Sequence, residues 1–265
     1  MRTLRSPGGC PWDREQTHES LKRYLLEETY ELLDAIDAGN DDALVDELGD
    51  VLLQVVFHAT IAAETGRFTM QDVIDGLTDK LVRRHPHVFG DAEASDAAAV
   101  SRLWAEVKRQ EASPGGTNAP GVASMLDDIS RSFPALMEAE KLQRRAARVG
   151  FEWDDIDGAW AKVREELNEL SSAIKARSSD NADETTQAAL EEEFGDVLFA
   201  LVNVARYARI DPEQSLRAAN AKFRRRFRYI EERVAALGKS LADMDLAEMD
   251  AFWDEAKQSE SDGRR

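Results

Sequence analysis

The sequence of 265 residues contains a single cysteine, Cys10, so no internal disulfide can form. A lone thiol fits a reducing compartment and supplies no cysteine ligand set. Long apolar runs are missing as well: Gln54 and His58 interrupt the most apolar segment, and nothing approaches the ~20 residues that a membrane helix requires. No charged-then-apolar leader opens the sequence. Basic residues are short in supply, with 34 Lys and Arg against 52 Asp and Glu, a net charge of −18. Such a field disfavours general contact with nucleic acid or an anionic membrane. It would also repel a phosphorylated substrate unless cations and local Lys or Arg overcame it. A cytoplasmic protein with neither nucleic-acid nor membrane partners is the expectation. Strand-like alternation is lacking too, so the fold should be all-α, with a core large enough for one large or two small domains.

Acid is what the sequence has, in a particular order. Over residues 163–202, Val163, Leu167, Leu170 and Ile174 fall on one stripe of a helix, with Glu166 and Glu169 side by side on its flank and Lys162 beside them. In the next helix Leu190, Phe194, Val197, Leu198 and Leu201 form the stripe, and Glu193 and Asp196 take the same kind of flank. Packed as an antiparallel hairpin, the two helices would bring four carboxylates together. Two carboxylates about 5 Å apart repel by roughly 3 kcal/mol at an effective dielectric near 20, and by under about 1 kcal/mol in water. A fully solvated acidic face would therefore cost little. A cluster against an apolar seam should hold protons or a cation, and oxygen donors without Cys or His point to magnesium or manganese.

The order occurs twice. An arm with breaker chemistry (Pro7, Gly8, Gly9, then Cys10-Pro11-Trp12-Asp13) precedes a helix expected from about Thr17 to Ala38, with Glu28 and Glu31 on its flank. A second helix is expected over 42–66, carrying Glu47 and Asp50, and a third over 69–84, carrying Lys80, Arg83 and Arg84 and stopped by Pro86. A fourth holds Trp104 and Lys108. After a linker at 112–124, rich in Pro, Gly, Ser and Ala, the features return. Trp153 echoes Trp12, Glu166 and Glu169 echo Glu28 and Glu31, and Glu193 and Asp196 echo Glu47 and Asp50. Lys222, Arg225 and Arg226 echo Lys80, Arg83 and Arg84, while Trp253 and Lys257 echo Trp104 and Lys108. The offset runs from 138 residues, for Glu28 and Glu166, to 149, for Trp104 and Trp253. A period of that length marks a tandem duplication of whole domains, 1–111 and 125–260. The loop over 175–189 is longer and more polar than its counterpart at 39–42. Gly49 and Gly195, each inside a helix and next to a clustered aspartate, point to close helix approach or room for a ligand. Phe223 and Phe227 are expected in the core.

Other motifs fail on inspection. Gly238-Lys239-Ser240 has the tail of a phosphate-binding loop, but Arg233 stands where glycine is needed and no strand precedes it. Glu15 and His18 have the spacing of a di-iron ligand pair without the second pair such a bundle needs. His58 reads as a satisfied core histidine. His85 and His87 could touch phosphate or cap a helix.

The duplicated acidic constellation, the basic helix and the tryptophan helix together resemble the MazG family of nucleoside triphosphate pyrophosphohydrolases. The likeness covers nearly the whole chain. It includes Cys10-Pro11-Trp12-Asp13, Leu26-Glu27-Glu28-Thr29-Tyr30-Glu31, Glu47-Leu48-Gly49-Asp50 and the string Arg83-Arg84-His85-Pro86-His87-Val88-Phe89. The resemblance implies an all-α fold of two tandem MazG-like helical bundles, related to the dimeric all-α NTP pyrophosphatases. It also implies a homodimer and Mg²⁺-dependent hydrolysis of NTPs and dNTPs to monophosphate and pyrophosphate, with Mn²⁺ as a possible substitute. By that resemblance Glu166, Glu169, Glu193 and Asp196 hold metal, and Glu165 or Glu192 orients or deprotonates the attacking water, so that Glu165, Glu166, Glu192 and Glu193 form the catalytic set. Lys162, Glu165, Glu192, Asp196, Lys222, Arg225 and Arg226 contact the nucleotide, and Trp253 stacks on the base or packs near it. The second repeat is taken as the main catalytic unit. The first carries the counterpart set Glu28, Glu31, Glu47 and Asp50 with Lys80, Arg83, Arg84 and Trp104. The rival reading is a nucleotide sensor or scaffold of the same fold that turns nothing over.

Overall fold

The computed structural model describes residues 1–96, 99–100, 103–104, 107, 124–178 and 184–262. Among them every regular element is helical. The chain divides into two compact units, Met1–Asn118 and Ala119–Arg265. Lys108, the linker apart from Ser124, and residues 179–183 lie outside the described residues, while 175–178 and 184–189, expected in a loop, are helical.

In the first unit the arm expected to be irregular contains two short helices, α1 (Arg2–Arg5) and α2 (Pro11–Glu15). Helix α3 (Lys22–Ala38) begins later than the expected start near Thr17. The reason is local: the Thr17 amide donates to Ser20 Oγ at 2.9 Å and the Ser20 amide donates to Thr17 Oγ1 at 3.1 Å, which closes a separate turn. Gly39 ends α3 in the left-handed region, φ 62°, a conformation that costs glycine nothing. Asn40 then caps α4 (Asp41–Glu64) by accepting from the Asp42 and Ala43 amides. Helix α5 (Met70–Arg84) starts from a reciprocal Thr69–Asp72 capping box, and Pro86 opens the short α6 (Pro86–Phe89). Leu21, Phe57 and Ile61 form the core cluster, with Met1 and Tyr24 packed against it.

In the second unit α7 (Ala135–Ala147), α8 (Ile156–Ser178), α9 (Glu184–Ala208), α10 (Pro212–Ala236) and α11 (Leu246–Asp262) follow in order. Helices α8 and α9 run antiparallel: Trp153, just before α8, meets Tyr207 near the end of α9, while Ala159 and Val163 pack on Ala200 and Val204. The small residues at that seam let the two backbones come close. Helix α7 packs on α9 and α10, and α11 packs on α10. Gly158 also matters for packing. A Cβ there would lie 2.6–2.7 Å from the Trp153 side chain, so only glycine admits that indole over the first turn of α8.

Two expectations need correction, and the alternatives for Gly49 and Gly195 resolve to the open-space one. Much of the apolar stripe stays exposed within its own unit, with Leu167 48%, Phe194 54% and Leu198 40% accessible. A hairpin two helices thick has two faces and here covers only one of them. Phe223 is 57% exposed, outside the core, and stacks with Phe227 at a centroid distance of 6.0 Å. At Gly49 and Gly195 an added Cβ would meet nothing within 4 Å, so neither marks a close helix approach and both leave open space.

Arg5 ties the arm to α4. Its side chain is 7% exposed, pairs with Glu64 at 2.7 Å, donates to the carbonyls of Asp13 and Gln16, and lies over the Phe57 ring. Breaking a partly buried pair leaves polar groups without partners. Arg5→Met is therefore expected to lower stability in urea denaturation by about 2 kcal/mol. Arg5 holds the Glu64 carboxyl below its ordinary value, chiefly through their hydrogen bond. That contribution is present above the unfolded value of 4.5 and is lost as pH falls through the folded one. The gap between wild type and variant should accordingly narrow in acid.

Candidate functional site

Glu166 sits on α8 one turn beyond Val163 and is only 4% exposed, so its carboxylate is carried into the seam with the core residues. The antiparallel crossing brings Glu193 and Asp196 of α9 to it. One oxygen from each of Glu166, Glu193 and Asp196 lies within 4.8 Å of the others, and the same holds for Glu165, Glu166 and Glu169. Glu166 is the member shared by both groups. Lys162 Nζ reaches Glu166 at 2.6 Å and Glu165 at 2.9 Å, and these two bonds hold its ammonium well above its usual value. One ammonium does not balance five carboxylates. The Glu169 carboxyl is raised, first by its hydrogen bond with Glu166, in which the protonated form donates, then by burial and by the charges of Glu166, Glu193 and Glu165. Glu192, an expected catalytic residue, is exposed on α9 and joins none of these groups.

The first repeat builds a smaller version between α3 and α4. Glu28, Glu31 and Glu47 bring oxygens within 4.8 Å of one another, and Asp50 lies outside that trio. Asp50 is still close enough to act on Glu28, whose carboxyl is raised by burial first and then by Asp50, Glu31, Glu47 and Glu27. Glu47 is raised by burial and by Glu31, Asp46 and Asp50, and its Oε2 is buried with no hydrogen-bond partner. The position four residues before Glu28, where the second repeat has Lys162, holds Tyr24. Tyr24 packs against the core cluster and edge-on to Trp12, so this trio has no built-in ammonium at that place. The substitution is plain in the aligned repeats, yet motif reading centred on acids passes over it.

The basic residues gather elsewhere in the second unit. Arg226 pairs with Glu260 of α11 at 2.8 Å and lies over the Trp253 ring at 5.4 Å, while Arg225 reaches Glu260 at 3.5 Å. Trp253 also packs on Phe223, at 5.2 Å, which favours the packing alternative for this residue. Lys222, one turn before Arg226, is exposed. In the first unit Lys80 and Arg83 are exposed and Arg84 is half-buried. His85 caps α5, its Nδ1 bonding the Leu81 carbonyl at 2.7 Å, and it stands edge-on to Trp104 at 5.1 Å. His58 bonds His18 across Nδ1 atoms 2.8 Å apart. Glu260 has no motif to reveal it in the sequence, because its partner lies on a different helix.

These donor sets fit a hard divalent cation. All ligand atoms are carboxylate oxygens, without Cys or His. Raised carboxyls in both repeats and the orphaned Glu47 oxygen are what a site short of positive charge presents. The sign of the pH effect follows. Glu28, Glu47 and Glu169 bind protons more readily folded than unfolded, so without a cation stability falls as pH rises from 4.5 through the raised values. Thermal unfolding in EDTA should show these groups contributing less to the midpoint at pH 7 than in mild acid. Mg²⁺ should restore the loss at pH 7, by roughly 3 kcal/mol at a hundredfold excess over its Kd.

Comparison with known proteins agrees with the duplicated geometry. The family described as the MazG nucleotide pyrophosphohydrolase domain matches residues 16–89 and again 158–230, covering both acidic hairpins. The chain is 47% identical over 257 residues to the nucleoside triphosphate pyrophosphohydrolase/pyrophosphatase MazG of Thermotoga maritima, covering 97% of this chain and 92% of that protein. It is 46% identical over 263 residues to the nucleoside triphosphate pyrophosphohydrolase of Escherichia coli, with 99% and 96% covered. It is also 49% identical over 260 residues to the uncharacterized protein YabN of Bacillus subtilis, matching 98% of this chain and 50% of that one. With two matched domains, and with the Thermotoga maritima and Escherichia coli proteins aligned over nearly their full length, this chain belongs to the MazG nucleotide pyrophosphohydrolase family.

Proposed function

We propose that the chain hydrolyses nucleoside triphosphates, NTPs and dNTPs alike, to the monophosphate and pyrophosphate, and so clears the nucleotide pool; two of its relatives are named nucleoside triphosphate pyrophosphohydrolases. The observation that carries this is the convergence of Glu166, Glu193 and Asp196 within 4.8 Å beside a lysine that already ion-pairs with Glu166. Glu166, Glu169, Glu193 and Asp196 hold Mg²⁺, or Mn²⁺ in its place. When bound there, the ion would supply charge neutralisation and a more acidic water. Glu165, already tied to Lys162, orients the attacking water or takes its proton; Glu192, outside the carboxylate groups, is the alternative for that role. The water oxygen bonds to the α-phosphorus, the bridging bond to the β-phosphate breaks, and pyrophosphate leaves. Lys222, Arg225 and Arg226 grip the phosphate tail, and Trp253 fixes Arg226 from its ring face.

Tyr24 in the place of Lys162 favours a weaker or purely structural role for the first repeat. Residues 1–111 and 125–260 form the two domains, joined by 112–124. The exposed apolar face of α8 and α9, with Leu167, Phe194 and Leu198, supports a homodimer in which this face packs on another repeat. No helix among the described residues is long and apolar enough to cross a membrane, which is consistent with a cytoplasmic place of action.

Product analysis with Mg²⁺ and a panel of NTPs and dNTPs tests the reaction. Monophosphate plus pyrophosphate is the expected outcome; diphosphate plus phosphate would reject attack at the α-phosphorus, and a folded protein that turns over no nucleotide would reject hydrolysis. Glu193→Gln should lower kcat about a thousandfold with the fold intact. Glu260→Gln releases Arg226 from its internal partner and should lower KM about threefold, a modest effect because the pair is partly exposed.

A further inference from the structure

Two histidines meet at the open end of the α3–α4 hairpin, away from the Gly39–Asn40 turn. His18 stands in the turn that leads into α3, and His58 lies on α4, six residues before its end at Glu64. Their rings are 6° from parallel with centroids 5.0 Å apart, and their Nδ1 atoms are 2.8 Å apart. Arg67, in the loop between α4 and α5, donates from Nη2 to the other His18 nitrogen, Nε2, at 2.6 Å. Its Nε donates to Thr65 Oγ1 at 2.9 Å, which anchors the guanidinium to the end of α4.

These contacts assign every proton on the two rings. A guanidinium only donates, so His18 Nε2 accepts and carries no hydrogen. The proton of the neutral His18 ring is therefore on Nδ1, from which it donates to His58 Nδ1. His58 Nδ1 is thereby an acceptor, and the His58 proton sits on Nε2. A further proton has two nitrogens open to it, His18 Nε2 and His58 Nδ1, and each already faces a donor. On the first it opposes Arg67. On the second it sets two N–H groups against each other, and moving the His18 proton to Nε2 to relieve them again opposes Arg67. Neighbouring carboxylates offer no relief: Glu64 is taken by Arg5, Glu19 by Lys22 and Asp72 of α5 by Thr69, while Glu15 of α2 is exposed. Burial first, and His18 second, hold His58 below its ordinary value of 6.5.

Packing alone does not call for histidine here. At the offsets that relate Glu28 to Glu166 and Glu47 to Glu193, the second repeat has Ile156 and Val204 in these places, and Ile156 packs against the cluster that includes Val204. The first repeat thus replaces an apolar contact with one that depends on protons. It does so beside its own core: Leu21, three residues after His18 and 1% exposed, packs with Phe57 and Ile61, which flank His58 on α4.

We propose that the Arg67–His18–His58 chain is an acid-sensitive latch, which clips the entry of α3 to α4 while both rings are neutral and releases the arm, residues 1–20, when a proton is taken up. His58 binds protons less readily latched than free. The latch is therefore complete above pH 6.5 and is lost as pH falls through the latched value. The raised carboxyls of the acidic groups run the opposite way, so variants must isolate it.

Long-range ¹H–¹⁵N NMR of the full chain in EDTA, at pH 8, should show His18 protonated at Nδ1 and His58 at Nε2. On titration toward pH 5, hydrogen-exchange protection of the arm amides, corrected for the intrinsic pH dependence, should fall as His58 titrates. The expected slope is about tenfold per pH unit, that of one proton. His18→Ile combined with His58→Val, the pair the second repeat uses, should keep the fold and flatten this dependence. Arg67→Met, at an exposed side chain, leaves the rings free to shift tautomer and share a proton, so His58 should titrate at higher pH than in the wild type. The opposite tautomers, arm protection that ignores the His58 titration, or an unchanged slope in the double variant would overturn the latch.

Discussion

Mutual repulsion among carboxylates held together at an apolar seam is the constraint on which the structure turns. Ala159, Val163, Ala200 and Val204 draw α8 and α9 together by burying apolar surface, and that same closure forces Glu166 against Glu193 and Asp196. Two carboxylates at such distances cost on the order of 3 kcal/mol when partly desolvated. Lys162 offsets part of this through Glu165 and Glu166, and the raised Glu169 carboxyl is the part left over. The hairpin thus stores an unmet demand for positive charge in the cation-free chain. An ion that meets the demand both stabilises the fold and completes the site, which links stability to function through one set of residues.

The two repeats resolve that constraint differently. In the second, a lysine is placed to begin the neutralisation, and α7 lies beside α9 to enclose a cavity. In the first, Tyr24 takes the lysine position for core packing, and the arm is secured by the partly buried Arg5–Glu64 pair. The acidic trio survives there with an orphaned Glu47 oxygen. One duplicated architecture thereby holds one site with Lys162 on its own helix and one with Tyr24 in that place, and this asymmetry supports a division of labour.

The helical class, the duplication and the meeting of the acids were all legible in the sequence. The i, i+3 acidic pairs beside a 3.6-residue apolar stripe define a face, and an antiparallel hairpin leaves that face one way to close. What periodicity could not supply was the choice between the two faces of a thin hairpin, so Phe194, Leu198 and Phe223 read as core and prove exposed. The start of α3 was missed because a Thr17–Ser20 side-chain turn competes with the helix over a few residues. Glu260 and Gln143 escaped notice for a common reason. Their meaning lies in contacts between helices far apart in sequence, and a lone Gln or Glu on a helix carries no pattern of its own.

The central claim is that the seam between α8 and α9 holds a divalent cation on Glu166, Glu193 and Asp196. Anomalous diffraction at the manganese edge, from crystals of the full chain grown with Mn²⁺, addresses it directly. The account predicts a peak bounded by those three carboxylates, with Glu169 completing the set. Manganese found only at exposed acidic patches, with none between α8 and α9, would contradict it.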